Sequence, residues 1–421
     1  MKRLIYLLPF VLLIIFQLIL IDKGILSISA DESGHTLNAY NYYIGKGSLW
    51  GMWLPGQQLI YTAGFMVWKD LVWMPRIVSM MFGIFTLISL MLVTKELFKD
   101  KNIIVMTGVF GSLFVGINLY SVLPLTEIYF FAFILLEIYL MLYYLRTGKK
   151  EWLVIIVGII ATMFRYDGWV FILVVGGMMI KKLKYKTILL FLFPVVWVMY
   201  GWIMTGDMFG FIHSVAERRI ALRNDEGMIY NYILLTLEST LLAGLFFINK
   251  NKKYLMLYVI TFIIWAIALS RTGAMPTHNV WRVPLIWNIM MIPFLAYVVM
   301  KPKQKILSVV VIIIISLLFI KQTVKYISLP QKYILTWNEI ELGKKIQQLD
   351  GGIIIPKMGW EYSNILVVSQ RPERISFKDG INYMDLILYD YLIVPRRIYI
   401  DKEEIWNNKD WFIYKLKNTG E

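Results

Sequence analysis

Long apolar runs separated by short polar connections are the feature that most constrains how this chain can fold. Eleven runs can be read, at roughly residues 4–21, 72–94, 103–118, 121–145, 152–164, 168–180, 187–204, 229–248, 254–270, 283–300 and 305–327. An α-helix needs about 20 apolar residues to cross the hydrocarbon core of a bilayer. Only 17% of the residues are charged, whereas soluble domains have about 25%. The sequence therefore predicts a polytopic α-helical membrane protein with about 11 transmembrane helices.

Lysine and arginine clusters occur at every second connection between these runs. The clusters are Lys2/Arg3, Lys95/Lys99/Lys101, Arg146/Lys149/Lys150, Lys181/Lys182/Lys184/Lys186, Lys250/Lys252/Lys253 and Lys301/Lys303/Lys305. Short basic connections lie on the cytoplasmic side of membrane proteins. The net charge of +15 is thereby explained without a nucleic-acid partner. The remaining connections and the C-terminal tail are predicted to be extracytoplasmic, in a protein of the cytoplasmic membrane. The chain has no cysteine, which excludes disulfide and thiolate chemistry.

The composition changes after about residue 330, which divides the chain into two predicted domains. Residues 1–330 form the transmembrane domain, with residues 22–71 as a first external loop that contains interfacial helices. In residues 331–421, "WNEIELGKKIQQL" has the pattern of an amphipathic helix. The segments "GGIIIP", "NILVV", "ERISF", "YLIVP" and "WFIYKL" have the pattern of short strands. A small extracytoplasmic α/β domain is expected here.

The first external loop begins with "SADESGHTLNAYNYY", which contains two acids and a histidine within five positions. Asp31 and His35 are four residues apart and would share one face of a helix, whereas Glu32 would point elsewhere. Three interpretations are open: a metal site, a base with an orienting partner, or a solvated loop. The apolar flanks favour a functional site, since polar groups at a membrane surface are often functional.

The segment "FRYDGW" joins two apolar runs that are short for crossing a bilayer. If the ends of the two runs that are farthest from the turn are both cytoplasmic, the turn should not reach the extracytoplasmic surface of the membrane. Arg165 and Asp167 would then be enclosed by protein or line a cavity, because turns in contact with lipid are not tolerated. Glu127 is expected at the external end of the fourth run, either as a second carboxylate over this cavity or as an ordinary helix-end acid.

A later loop, "SRTGAMPTHNVWRVP", contains Arg271, His278 and Arg282. Cations in such a loop can contact phospholipid headgroups or can bind the phosphate of a substrate. Arginine suits phosphate because its planar guanidinium gives paired hydrogen bonds and a fixed charge.

Together these segments resemble the GT-C membrane glycosyltransferases. "ISADESGHTLNAYNYYIGKG…WLPGQQLIY" is similar to the first external loop of that family, and "FRYDGW" to its Arg-Tyr-Glu/Asp turn. "TEIYFFAFILLEIYLMLYYLRTGKK" resembles the fourth span, and "THNVWRVP" the His…Arg…Pro region before a late span. The nearest branch holds the protein O-mannosyltransferases and lipid A aminoarabinose transferase. The late loop departs from the family, which often has an Arg-Tyr pair and a more distant proline.

The resemblance implies a glycosyltransferase that moves a hexose or pentose from a polyisoprenyl-phosphate donor to a glycan, lipid or protein acceptor, outside the cytoplasm. Asp31 would be the general base, with Glu32 beside it in the catalytic pair. The other implied site residues would contact acceptor or sugar (His35, Glu127, Arg165, Tyr166 and Asp167) or the donor phosphate (Arg271, His278 and Arg282). The resemblance is compatible with a divalent cation such as Mg or Mn near Asp31, Glu32 and Glu127, and no metal site is assigned. The alternative is a lipid-linked sugar flippase or membrane transporter without transferase activity.

Overall fold

The computed structural model describes residues 4–51, 53–210, 213, 252–271, 284–301, 305–328, 335–356, 363–378, 387–395 and 402–417. Helices account for most of the chain up to residue 328. They are α1 (Leu8–Asp22), α2 (Asp31–Tyr43), α3 (Gly56–Val67), α4 (Trp73–Phe98), α5 (Lys101–Leu113), α6 (Val115–Asn118), α7 (Thr126–Thr147), α8 (Glu151–Ala161), α9 (Asp167–Leu183), α10 (Leu192–Thr205), α11 (Lys252–Arg271), α12 (Leu285–Met300) and α13 (Lys305–Ser328).

Five helical segments in the described residues are long and apolar enough to cross a membrane. They are Leu4–Asp22, Trp73–Phe98, Thr126–Thr147, Asp167–Thr205 and Ser308–Lys325. The two predicted runs 168–180 and 187–204 form one helical stretch, in which the 3-10 helix Lys184–Phe191 joins α9 to α10. The polytopic helical class is therefore supported. The number eleven stays a prediction, and the run 229–248 lies outside the described residues.

Contacts within the chain group its residues into two compact units. The first unit contains residues 1–19, 48–60 and 79–328, and the second contains residues 20–47, 61–78 and 329–421. The second unit thus combines parts of the first external loop with the C-terminal residues. The predicted domain boundary at residue 330 stays a prediction.

The helices of the first unit are joined by buried polar side chains as well as by apolar packing. Gln17 Nε2 donates to Ser121 Oγ at 3.0 Å, and Asn118 Nδ2 donates to Thr323 Oγ1 at 3.3 Å. The Tyr254 hydroxyl donates to the carbonyl of Met290 at 2.7 Å. Such bonds fix the relative rotation of apolar helices, whose side chains alone distinguish poorly between neighbours and lipid.

The C-terminal part of the second unit is built around a small mixed sheet. Its elements are α14 (Trp337–Gln347), β1 (Ile353–Pro356), α15 (Ser363–Val368), β2 (Ile375–Lys378), β3 (Tyr391–Val394), β4 (Glu403–Asn407) and β5 (Phe412–Lys415). The strand order is β2-β1-β3-β5-β4. β1 is parallel to β2 and β3, whereas β5 is antiparallel to β3 and β4.

Alternating side chains of the sheet contribute to two apolar clusters, as expected for strands with a period of two. Ile353, Ile355 and Ile393 belong to the larger cluster, with Leu342 and Ile346 of α14. Ile354, Leu392 and Tyr414 belong to the other. The predicted helix over "WNEIELGKKIQQL" is confirmed, and a capping box between Thr336 and Glu339 starts it. The prediction of a strand at "NILVV" is wrong, because these residues form α15, which packs against α14 and α2.

Candidate functional site

Helix α2 places the three titratable residues of the first external loop in different surroundings. Asp31 is the first residue of the helix and is partly exposed. Glu32 and His35 are buried, at 1% and 6% exposure. The expectation that Asp31 and His35 share one helix face, with Glu32 pointing elsewhere, stays a prediction. Of the three, only Asp31 is more than slightly exposed.

The carboxylate of Glu32 points back into the segment that precedes its own helix. Its Oε1 accepts a hydrogen bond from the backbone N–H of Ile28 at 2.8 Å, and its Oε2 accepts one from the hydroxyl of Ser29 at 2.5 Å. The Ser29 hydroxyl oxygen also accepts a bond from the Asp31 N–H at 3.3 Å. Glu32 thus fixes the backbone that leads into Asp31.

A buried arginine holds the same segment from another helix. Arg76, near the start of α4, is 2% exposed. Its Nη2 donates to the carbonyl of Leu26, and its Nη1 donates to the carbonyl of Val72 at 2.5 Å. Its charge also interacts with those of Glu32 and Asp70. The segment between α1 and α2 is therefore held by the buried carboxylate of Glu32 and the buried guanidinium of Arg76.

Burial raises the pKa of Glu32 from 4.5 to about 7, because the ionised form loses its hydration. The bonds from Ser29 and Ile28 act in the opposite direction, and the nearby charge of Asp31 adds to the increase. Glu32 is thus an acid that changes its protonation near neutral pH, with both oxygens already occupied by the loop.

A second group of candidate residues lies in the first unit, where α7 and α9 begin. Arg165 Nη1 lies 2.5 Å from Oε1 of Glu127, and Arg165 Nε lies 2.7 Å from Oδ2 of Asp167. The indole of Trp265 on α11 donates to the other oxygen of Asp167 at 2.9 Å. Glu127 is 1% exposed, Arg165 18% and Asp167 17%. The expectation that Arg165 and Asp167 are enclosed by protein agrees with these values.

The remaining candidates divide into described and undescribed residues. Tyr166 is partly exposed, and its ring makes an edge contact with Trp169 at 5.2 Å. For Arg271 the structure describes only the backbone that ends α11, and His278 and Arg282 lie outside the described residues. The phosphate-binding role predicted for these three residues therefore stays a prediction.

In the described part of the chain, no group of three or more His, Asp or Glu residues is arranged to hold a metal ion. A cavity of about 310 Å³ lies within the second unit. Leu37, Asn41 and Ile44 of the α2 segment line one side, and Glu373 and Phe377 of the C-terminal residues line another. Asn41 is ten residues beyond Asp31, or about 15 Å along a helix.

No protein-family model and no curated protein sequence matches the chain, whereas solved structures do match. ArnT from Cupriavidus metallidurans, in the apo state, superposes with a TM-score of 0.63. The match covers 98% of this chain and 97% of ArnT at 9% sequence identity. The chain shares the fold of ArnT over nearly its whole length. The resemblance noted in the sequence is thereby confirmed for the fold, and with it the assignment as an integral membrane protein.

Two structures from Archaeoglobus fulgidus also match. The oligosaccharyltransferase AglB, in complex with an inhibitory peptide and a dolichol-phosphate, has a TM-score of 0.51 at 10% identity, over 92% of this chain and 69% of AglB. The oligosaccharyltransferase tethered to an acceptor peptide has a TM-score of 0.50 at 11% identity, over 90% and 64%. At such identities only the fold is shared, and the chemistry must be argued from this chain's own residues.

Several residues that organise the site were missed in the sequence. Arg76 carried a usable signal, because an arginine within an apolar run of a membrane protein is by default a functional candidate. Trp265, Asn364 and Gln370 gave no signal. Their importance comes from contacts with residues that are distant in the sequence.

Proposed function

We propose that this protein transfers a sugar from a polyisoprenyl-phosphate donor to an acceptor hydroxyl on the extracytoplasmic side of the membrane. The observation that carries the proposal is the GT-C fold over nearly the whole chain, with the partly exposed Asp31 at the start of the first helix after α1. The dolichol-phosphate and peptide bound to AglB show that a protein of this fold can hold a lipid phosphate together with a peptide.

In the proposed reaction Asp31 is the general base. Its carboxylate accepts the proton of the acceptor hydroxyl while the hydroxyl oxygen forms a bond to the anomeric carbon of the donor. The bond from that carbon to the phosphate oxygen breaks on the opposite face, and the lipid phosphate leaves with the electron pair. A single displacement of this kind inverts the anomeric configuration. Phosphate is a good leaving group, so no acid is needed.

The other predicted site residues are assigned supporting roles. Arg271, His278 and Arg282 would stabilise the negative charge that grows on the departing phosphate. His35, Glu127, Arg165, Tyr166 and Asp167 would contact the sugar or acceptor. Glu127, Arg165 and Asp167 already form one charged network. Because Arg165 is neutralised by two carboxylates, we expect it to orient Glu127 and not to bind phosphate.

The decisive experiment uses the purified full-length protein in lipid nanodiscs with synthetic polyprenyl-phosphate hexoses and pentoses. Release of polyprenyl phosphate and formation of glycosylated product from a cell-envelope acceptor extract are measured by mass spectrometry. We expect Asp31→Asn to lower kcat by about 100- to 10,000-fold, the usual contribution of a general base. Asp22→Asn, at an exposed carboxyl where the same loop begins, is the matched control and should behave as wild type.

An unchanged kcat for Asp31→Asn would refute its role as the base. The flippase or transporter alternative predicts a different pattern. Labelled polyprenyl-phosphate sugar would then move between the leaflets of a vesicle. Neither the wild-type protein nor Asp31→Asn would form a glycosylated product.

A further inference from the structure

The C-terminal domain contacts the helix that carries Asp31 through a buried polar bond. The hydroxyl of Ser33 donates to Oδ1 of Asn364, and each of these residues is 3% exposed. Asn364 lies in α15, which packs against α2. Ser33 is two residues after Asp31, so this bond is made within one helical turn of the proposed base.

A second polar connection joins the C-terminal domain to the end of the same loop. The backbone N–H of Leu71 donates to Oε1 of Gln370 at 2.7 Å, and Nε2 of Gln370 donates to Oδ1 of Asp70 at 3.1 Å. That oxygen of Asp70 also accepts the N–H groups of Val72 and Trp73, both at 2.8 Å, where α4 begins. Gln370 therefore stabilises the N-terminus of the helix that contains Arg76.

These contacts matter because α2 cannot fix its own position. It has only 13 residues, several of them polar, and an isolated helix of this length is marginal in water. Its placement must come from tertiary contacts. Arg76 and Glu32 hold the backbone before Asp31, whereas Asn364 and Gln370 hold α2 and the start of α4 from the C-terminal domain.

We propose that the C-terminal domain positions the general base, with Asn364 and Gln370 as positioning residues that set the location of Asp31 through α2 and α4. The inference rests on the proposed function, since it takes Asp31 to be the base. Neither residue needs to touch donor or acceptor. A shift of about 1 Å in a reacting group can lower a rate about 100-fold, so loss of these contacts should reduce kcat more than it changes KM.

The first test compares three variants in the nanodisc assay with the polyprenyl-phosphate sugar that the wild-type protein uses. Ser33→Ala removes one hydroxyl, and Gln370→Ala removes both bonds of that side chain. We expect each to lower kcat by about 10- to 100-fold, with the KM for donor and acceptor within about twofold of wild type. Gln348→Ala, at an exposed glutamine of the same domain, should leave both constants unchanged.

A spectroscopic test does not depend on activity. The chain has no cysteine, so Asn41→Cys on α2 and Lys344→Cys on α14 introduce two exposed spin-label sites without further changes. The distance between the labels is measured by double electron–electron resonance. We expect one narrow distribution in the otherwise unchanged protein, and a broadened or shifted one when Ser33→Ala or Gln370→Ala is added.

The outcomes separate this inference from the proposed function. If Asp31→Asn is inactive while Ser33→Ala and Gln370→Ala keep a wild-type kcat and a narrow distance distribution, the positioning role is wrong. The proposed role of Asp31 as the general base then still holds. If these variants raise only the KM for the acceptor, the domain binds acceptor and the inference is also overturned. If Asp31→Asn keeps its full rate, the proposed function itself fails.

Discussion

The guanidinium of Arg165 lies 2.5 Å from the carboxylate of Glu127, which joins the turn before α9 to the first turn of α7. Glu127 is 1% exposed, so its charge depends on this partner for compensation. The same guanidinium contacts Asp167 at 2.7 Å. An ion pair of this kind need not make the protein more stable than an apolar pair would, but removing one partner leaves a buried charge uncompensated.

Replacing Arg165 with Met should therefore destabilise the protein by about 3–5 kcal/mol, the usual cost of breaking a buried ion pair. The double variant Arg165→Met/Glu127→Met should regain part of that loss, because it removes both charges. Both effects are measured as the change in the midpoint of the unfolding transition in detergent. Additive losses from the two single variants would show that the pair is not coupled.

The buried acid of α2 predicts how stability depends on pH. Folding raises the pKa of Glu32 from 4.5 to about 7, so between these values the folded protein binds a proton that the unfolded chain has released. The stabilisation is complete below pH 4.5 and is lost as the pH rises towards 7. The loss amounts to about 3 kcal/mol at 1.36 kcal/mol per pKa unit.

The variant Glu32→Gln should lose this pH dependence, because an amide does not titrate in this range. Denaturant unfolding of the wild-type protein and of Glu32→Gln is compared at several pH values from 4.5 to 8. The difference between the two curves gives the contribution of Glu32 to the free energy of unfolding, separate from that of other titrating groups. Glu403→Gln, at an exposed carboxyl in β4, is the control and should follow the wild-type curve.

The long apolar helices and several elements of the C-terminal sheet region could be predicted from sequence because strong local rules govern them. A bilayer imposes long apolar runs, and the helix Trp337–Gln347 carries both its amphipathic period and its capping residues. "NILVV" was assigned to a strand since its residues favour strands. Its residues Ile365, Val367 and Val368 are nearly completely buried as a helix, which shows that packing outweighed local preference.

The candidate site was predictable only as separate segments. Asp31, Glu127 and Arg165 were singled out as charged groups next to apolar runs, but nothing in the sequence pairs Arg165 with a glutamate 38 residues earlier. The orientation of Glu32 into its own loop was equally hidden, since it depends on the path of Ile28 and Ser29. Pairings of this kind are set by tertiary structure, and a single sequence does not contain them in readable form.

A fully buried acid in the middle of α7 offers a test of stability that is independent of function. Glu137 is 0% exposed, and within the described residues neither of its carboxyl oxygens has a hydrogen-bond partner. Its Oε1 lies 3.4 Å from the point that a Cβ atom on Gly158 of α8 would occupy. A buried polar group without a partner costs about 1–3 kcal/mol.

Glu137→Leu should therefore raise the free energy of unfolding by about 1–3 kcal/mol, since leucine has similar size and no polar atom to satisfy. Thermal unfolding in detergent measures the effect. Glu127→Leu is the matched control at the start of the same helix, and it should instead destabilise the protein because Arg165 loses one of its two carboxylate partners. A destabilised Glu137→Leu would indicate that the carboxyl group has a partner in the folded protein.

Arg76 and Glu32 should depend on each other in a pH-dependent way, because both are buried and their charges interact. Arg76→Met leaves the carbonyl of Leu26 without its donor and removes the positive charge near Glu32. The loss in stability should reach about 3–5 kcal/mol at pH 8, where Glu32 is ionised, and should be smaller at pH 5, where it is protonated. Measured against Glu32→Gln alone, the double variant Arg76→Met/Glu32→Gln should show the same loss at both pH values, because neither protein has the titrating carboxyl of Glu32. Denaturant unfolding at pH 5 and pH 8 is measured for the wild-type protein, the two single variants and the double variant. An equal loss for Arg76→Met at both pH values would show that its charge does not act on Glu32.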